Sequence, residues 1–246
     1  MTSKPAPGAK IGKAHYDSSE YFVGEGAGHL TDLDSPFQRY RVAKVSELAA
    51  PRPTDRVVDL GCGWGTFCFA FSERVASIVG VDFSDRSVEL CRKRLAESPR
   101  PNTSFVCADA GATGLAAGAY DLVLAADLFE HLYPEDSDRV AREAFRLLAP
   151  GGRFATWTPH RGHILEVLKN RNIVLRRDVT HVDYKSMGKM KALLSDVGFT
   201  IERAYYAESH VPGLRNVEKL LARLLPLLRR RVAVLGRKPG QSVAAG

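Results

Sequence analysis

The chain has 246 residues, 45% of them hydrophobic and 26% charged, with a formal net charge of +7. That balance excludes a disordered or fibrous chain and suits one α/β domain with a sizeable core. No apolar run reaches the roughly 18 residues that a transmembrane helix needs, and Thr2–Ile11 lacks the apolar stretch of a signal peptide, so a cytoplasmic protein is expected.

The excess charge is local. Eight Lys or Arg and a single acid, Glu218, lie between Arg215 and the C-terminus, so residues 1–214 sum to zero. A nucleic-acid enzyme more often carries basic charge around its active face, so nucleic acid is not the expected partner. A basic, solvated helix accounts for the tail, and weak contact with a membrane surface is the alternative. Cys62, Cys68, Cys91 and Cys107 show no C-x-x-C spacing. Cys62, Cys68 and Cys107 sit in apolar surroundings and are expected to be buried free thiols.

In chain order, residues 1–13 are expected to form a flexible tail and 14–246 one domain, with an N-terminal helical cap over 14–50. Ser35-Pro36 opens a helical pattern with Phe37, Tyr40, Val45 and Leu48 on one face, and Pro51-Arg52-Pro53-Thr54 ends it. Strands are predicted at Val57–Leu60, Ser77–Val81, Thr103–Cys107, Leu122–Ala125 and Arg153–Trp157. Helices are predicted between them at Thr66–Val75, Asp85–Glu97 and Asp138–Leu148, the last stopped by Pro150-Gly151-Gly152. This alternation implies a parallel sheet covered on both faces. Thr158–Asp183 is long, basic and rich in histidine. A helix at Tyr184–Val197, a strand at Phe199–Tyr206, a helix at Asn216–Arg230 and a strand at Arg231–Gly236 complete the pattern.

In Arg56-Val57-Val58-Asp59-Leu60-Gly61-Cys62-Gly63-Trp64-Gly65 an apolar strand runs into three glycines at alternate positions. Glycines there permit positive φ and a close approach of ligand to main chain. Asp59 puts a carboxylate at the mouth of the loop, which suits a cationic amino group and not a pyrophosphate. The third glycine, Gly65, falls one residue too early for a nicotinamide fingerprint.

This stretch resembles the first cofactor motif of the class I S-adenosylmethionine (SAM) dependent methyltransferases, and the resemblance extends from about Arg56 to Lys238. It implies an α/β fold with a Rossmann-like, seven-stranded, mostly parallel sheet, helices on both faces and the last strand antiparallel. It also implies SAM as cofactor, S-adenosylhomocysteine as product, and residues 158–183 as an insertion over the active site. Gly61, Cys62, Gly63 and Gly65 would form the cofactor loop.

Three downstream acids strengthen it. Asp82 ends a strand 21 residues after Gly61, where an acid can accept both ribose hydroxyls; a helix cap is the alternative. Phe83 would lie against the adenine, or else pack in the core. Asp109, followed by Ala110, would accept from the adenine amino group, or form a turn. Asp127 opens Asp127-Leu128-Phe129-Glu130-His131-Leu132, which resembles the post-strand segment of ubiquinone-biosynthesis-like small-molecule methyltransferases. Relatives close an N-terminal segment over the methionine carboxylate; Tyr16 within His15-Tyr16-Asp17-Ser18-Ser19-Glu20-Tyr21-Phe22, with Arg39 and Arg41, are the matching candidates.

His131 lies just beyond the strand that abuts the transferred methyl group, and an imidazole titrates where it can take a hydroxyl proton. The alternative is a histidine that only positions the loop. His181, in Asp178-Val179-Thr180-His181, faces the substrate or anchors its loop. His160, His163, His181 and Asp183 also have metal-ligand chemistry, but methyl transfer needs no metal and none is expected. The expected reaction is methyl transfer from SAM to a small-molecule hydroxyl, of a natural product, sugar or quinone-like metabolite, by a monomer or homodimer. Transfer to nitrogen or carbon, and a non-catalytic SAM-binding regulator, are the alternatives.

Overall fold

The computed structural model describes residues 12–18, 32, 35–170, 180–208, 213–222 and 224–240. Its strands are β1 (Arg56–Leu60), β2 (Ser77–Asp82), β3 (Thr103–Cys107), β4 (Tyr120–Ala126), β5 (Leu148–Pro159), β6 (Thr200–Ala207) and β7 (Arg231–Arg237). They form one seven-stranded sheet in the order β3-β2-β1-β4-β5-β7-β6. β7 runs antiparallel to both of its neighbours, and the remaining pairs are parallel.

The helices are α1 (Lys13–Tyr16), α2 (Pro36–Ala49), α3 (Thr66–Phe71), α4 (Asp85–Glu97), α5 (Pro134–Leu147), α6 (Ile164–Asn170), α7 (Met187–Val197) and α8 (Leu214–Leu221). Strand residues alternate between two cores, as the two-residue period of a pleat requires. Val57, Leu122 and Ala233 face α2, α3 and α4 through Leu48, Phe71 and Val88. Val58, Val123 and Val234 face α5 and α7 through Val140, Leu147 and Leu194. Burial on both faces explains why β4 reads as a continuous apolar run.

Local chemistry sets the helix ends. The Ser35 hydroxyl accepts from the Gln38 amide at 3.2 Å and Pro36 fills the first helical position, as expected. Arg153 then ties the far end of α2 to the sheet, its Nη1 donating to the Ala49 and Ala50 carbonyls at 2.7 Å. Ser186 caps α7 through the Lys189 amide, so that helix starts at Met187 and not at Tyr184.

Several other boundaries differ from expectation. The first crossover helix ends at Phe71 and tightens into a 3₁₀ turn, Ser72–Arg74. α5 starts four residues early because Pro134 occupies its first position. Pro150-Gly151-Gly152 does not separate helix from strand; it lies within β5, where the pairing with β4 shifts register. Lys13 is helical and ion-pairs with Asp85 at 2.6 Å, while residues 1–11 lie outside the described residues. Cys107 is half-exposed, its Sγ 3.0 Å from Asp85 Oδ1, whereas Cys91 is buried with Cys62 and Cys68.

The segment expected as a sheet-covering helix over Asn216–Arg230 is two short pieces, α8 and a 3₁₀ turn at Pro226–Leu228. Pro226 cannot continue a helix. Leu220 on α8 and Leu224 between the two pieces face outward, at 74% and 77% exposure. The strand that follows is different, since β7 is buried between β5 and β6. Deleting residues 216–246 should therefore abolish cooperative thermal unfolding, because β6 loses the strand it pairs with and both cores lose a wall. A truncated chain that still melted cooperatively and lost only its binding to anionic vesicles would assign the segment to a membrane surface instead.

Candidate active site

The strand order reverses between β1 and β4. Beyond the carboxyl ends of strands at such a switch point, an open α/β sheet leaves a crevice. A cavity lies there, and Gly61, Gly63, Asp82, Phe83, Asp109, Ala110, Asp127, His131 and Tyr16 all line it. These residues come from four strand ends and α1, so most of the proposed cofactor set converges in space.

Gly61, Gly63 and Gly65 all have positive φ, at 70°, 51° and 76°. The Gly61 and Cys62 amides donate to the Val81 carbonyl, which presses the loop against β2. The Gly63 amide donates to Asp82 Oδ2 at 2.9 Å, and the Ser84 amide to Oδ1 at 2.9 Å. Asp82 thus locks the loop to the second strand end while its carboxylate still borders the cavity. Burial pushes its carboxyl up, and the backbone donors oppose that. A Cβ on Gly63 would meet nothing within 4 Å, so this position opens onto the cavity. Asp109 is fixed by the Gly111 amide at 2.7 Å and by Arg139 at 2.8 Å. Phe83 is 37% exposed and meets the Tyr16 ring edge-on at 5.0 Å.

Four of the proposed cofactor residues do not line the cavity. Asp59 shares its strand face with Val57, so it points toward α3, with the Cys68 Sγ 3.7 Å from its carboxylate. It is 1% exposed, and burial pushes its carboxyl up to about 7. Cys62 is buried against the Gly80 position, and Gly65 packs on Phe69 and Cys91. Arg41 is turned inward, its Nη2 2.6 Å from Asp127 and its Nη1 2.7 Å from Gln38. Its buried Nε has no hydrogen-bond partner among the described residues. Arg39 is exposed, and Tyr21 and Phe22 lie outside the described residues.

Asp127 is held between Arg41 and Arg231. Burial opposes its charge, but Arg231 and then Arg41 outweigh burial and keep the carboxyl well below the usual carboxylate range. Its φ of 56° is one of two positive values outside glycine among the described residues, a conformation that Asp tolerates better than most. Glu130, 1% exposed, accepts from the Thr158 hydroxyl at 2.9 Å. Burial, then the charge of Asp127, push its carboxyl up.

The Glu130 carbonyl accepts from the Val182 and Asp183 amides at 2.8 and 3.3 Å. That contact draws residues 180–183 onto the end of β4 and sets His181 beside His131, ring centroids 4.8 Å apart. His131 Nδ1 lies 3.2 Å from the Thr180 carbonyl and 3.4 Å from the Tyr16 hydroxyl. A ring nitrogen from each histidine and a Glu130 oxygen lie within 4.8 Å of one another. The other loop histidines do not join them. His160 packs on Tyr206, and His163 is buried 3.8 Å from Glu218.

A family model described as a methyltransferase domain matches residues 57–152, the strands and loops that carry this cavity. That stretch of the chain is thus similar to a methyltransferase domain. Demethylmenaquinone methyltransferase of Lactococcus lactis is 33% identical over 100 residues, 39% of this chain and 39% of that protein. Nocamycin O-methyltransferase of Saccharothrix syringae is 32% identical over 126 residues, covering 50% of this chain and 44% of that one. Each alignment therefore spans less than half of the relative. A crystal structure of an S-adenosylmethionine dependent methyltransferase from Mesorhizobium loti superposes with a TM-score of 0.59 at 21% identity, covering 83% of this chain and 99% of that one.

This methyltransferase fold also recruits residues that the sequence reading passed over. Tyr133 and Asp136 line the cavity at the start of α5. The Pro134 signal that places that start was available in the sequence. Arg231 and Glu130 had no such signal, since Arg231 meets Asp127 only through a sequence separation of 104 residues.

Proposed function

We propose that the chain transfers a methyl group from SAM to a hydroxyl of a small molecule, such as a natural product, sugar or quinone-like metabolite. The observation that carries this is the convergence of Gly63, Asp82, Asp109 and Asp127 with His131 around one cavity. The residues suit the cofactor: the open face of Gly63 leaves room for it, and Asp82 offers its ribose an acceptor. Asp127, kept ionised, complements a cationic amino group, and the orphaned Arg41 Nε lies beside it as a donor.

The bound cofactor supplies a methyl group already activated by its sulfonium. The protein's task is then to align an oxygen with that carbon and to exclude water. Tyr16 and Phe83 cover the cavity edge, and His131 takes the hydroxyl proton. The Thr180 carbonyl can only accept a hydrogen bond, so it fixes the His131 proton on Nδ1 and leaves Nε2 free of hydrogen.

Asp82→Ala tests the cofactor half of this reading. Losing charge-assisted bonds worth about 1.5–3 kcal/mol should weaken SAM roughly 10- to 100-fold by calorimetry. Unchanged affinity in a folded variant would remove Asp82 from the cofactor site.

A further inference from the structure

We propose that Glu166 and Tyr184 are positioning residues that hold His181 with its proton on Nδ1, so that its Nε2 serves the site as a second proton acceptor. The role, although not the geometry, rests on the hydroxyl-methylation reading above. Tyr184 Oη lies 2.9 Å from Glu166 Oε2 and 2.9 Å from His181 Nδ1. A carboxylate only accepts, so the tyrosine proton belongs to the bond with Glu166. The tyrosine oxygen is then the acceptor toward His181, and Nδ1 must be the donor. This is the logic by which a carboxylate orients a catalytic imidazole, here relayed through a phenol.

The residues come from separate parts of the chain. Glu166 is on α6, whereas His181 and Tyr184 precede α7, and the Glu130 carbonyl pins the loop between them. Both histidines therefore present an unprotonated Nε2, with ring planes 76° apart. Each ring has a carboxylate within electrostatic reach. Behind His131 lie the Thr180 carbonyl and the Tyr16 hydroxyl, and the Asp127 charge also reaches it. Behind His181 lies the Glu166 carboxylate, through one hydroxyl, and that charge also reaches Arg230 and Arg231. Glu130 faces both rings. In the transfer the O–H bond breaks and its proton joins an Nε2. The oxygen pair forms the bond to the methyl carbon, and the C–S pair stays with sulfur.

Long-range ¹H–¹⁵N correlation spectra of the free protein, assigned with His131→Gln and His181→Gln, test the relay without any turnover. His181 should show the Nδ1–H form in the wild type. Tyr184→Phe should convert it to Nε2–H and leave His131 unchanged. Glu166→Gln keeps an acceptor for the tyrosine but removes the charge, and should lower the His181 titration midpoint by roughly half to one pH unit. SAM affinity should hold. An Nε2–H form in the wild type, or a His181 midpoint indifferent to Glu166→Gln, would overturn the relay even if methyl transfer is observed. A protein that shows the relay spectra but transfers no methyl group would instead overturn the methylation reading.

Discussion

A Gly63→Val chain should unfold cooperatively and bind no measurable SAM, a loss of at least about 100-fold by calorimetry. Two effects add at this position. Its φ of 51° lies in the left-handed region, where a β-branched residue costs roughly 1–2 kcal/mol. Its Cβ would point into open cavity, so the valine methyl groups would occupy the volume that the cofactor needs. The strain alone should lower Tm by only a few degrees in a chain of this size. A Cβ on Gly80 would act differently, lying 2.7 Å from the Phe105 ring, where the cost falls on core packing. Wild-type SAM affinity in Gly63→Val would move the cofactor away from this loop.

The place of Gly63 is legible in the sequence because it is set locally. A strand, a spaced set of glycines and an acid at the next strand end are all fixed by short-range geometry, and Gly63 and Asp82 meet as the pattern implies. Asp59 shows where spacing misleads. Its distance from Gly61 places it near the loop, but strand parity decides its direction, and parity puts it with Val57 on the α3 face. The alternation was readable, and it outranks proximity in sequence. Arg41 is a different case. Its partner Asp127 and their third member Arg231 meet only after the sheet is assembled, and no local pattern encodes that triad. The leucines after Leu214 were ambiguous for a physical reason as well. Apolar residues at helical spacing suit a core face or an exposed one equally, and Pro226 ended the helix before it could cover the sheet. Asp178 and Val179 lie outside the described residues, whereas Thr180 and His181 next to them lie beside His131.

His131→Ala should lower kcat by roughly 10²–10⁴ and leave SAM affinity near wild type. The side chain lines the cavity beyond β4 and makes its Nδ1 contacts with Thr180 and Tyr16, not with the glycine loop or Asp82, so cofactor binding has little reason to change. The wild-type rate should rise with pH as the imidazole loses its proton and then level off, because the neutral ring is the active form. Without it, the residual rate should keep climbing through roughly pH 6–9 as the acceptor hydroxyl ionises unaided. An amine acceptor that binds neutral would blunt both effects, so the same profile distinguishes oxygen from nitrogen. His181 sets the floor. If its Nε2 receives the proton in the absence of His131, the double variant His131→Ala/His181→Ala should fall well below the single one, and the two losses should not add. A single variant within about threefold of wild type across that range would end the proton-acceptor role of His131. A histidine that merely anchors the 180–183 loop would give a lower Tm and a modest rate loss, with the wild-type pH plateau intact, because only the removal of a titrating base changes the shape of the profile.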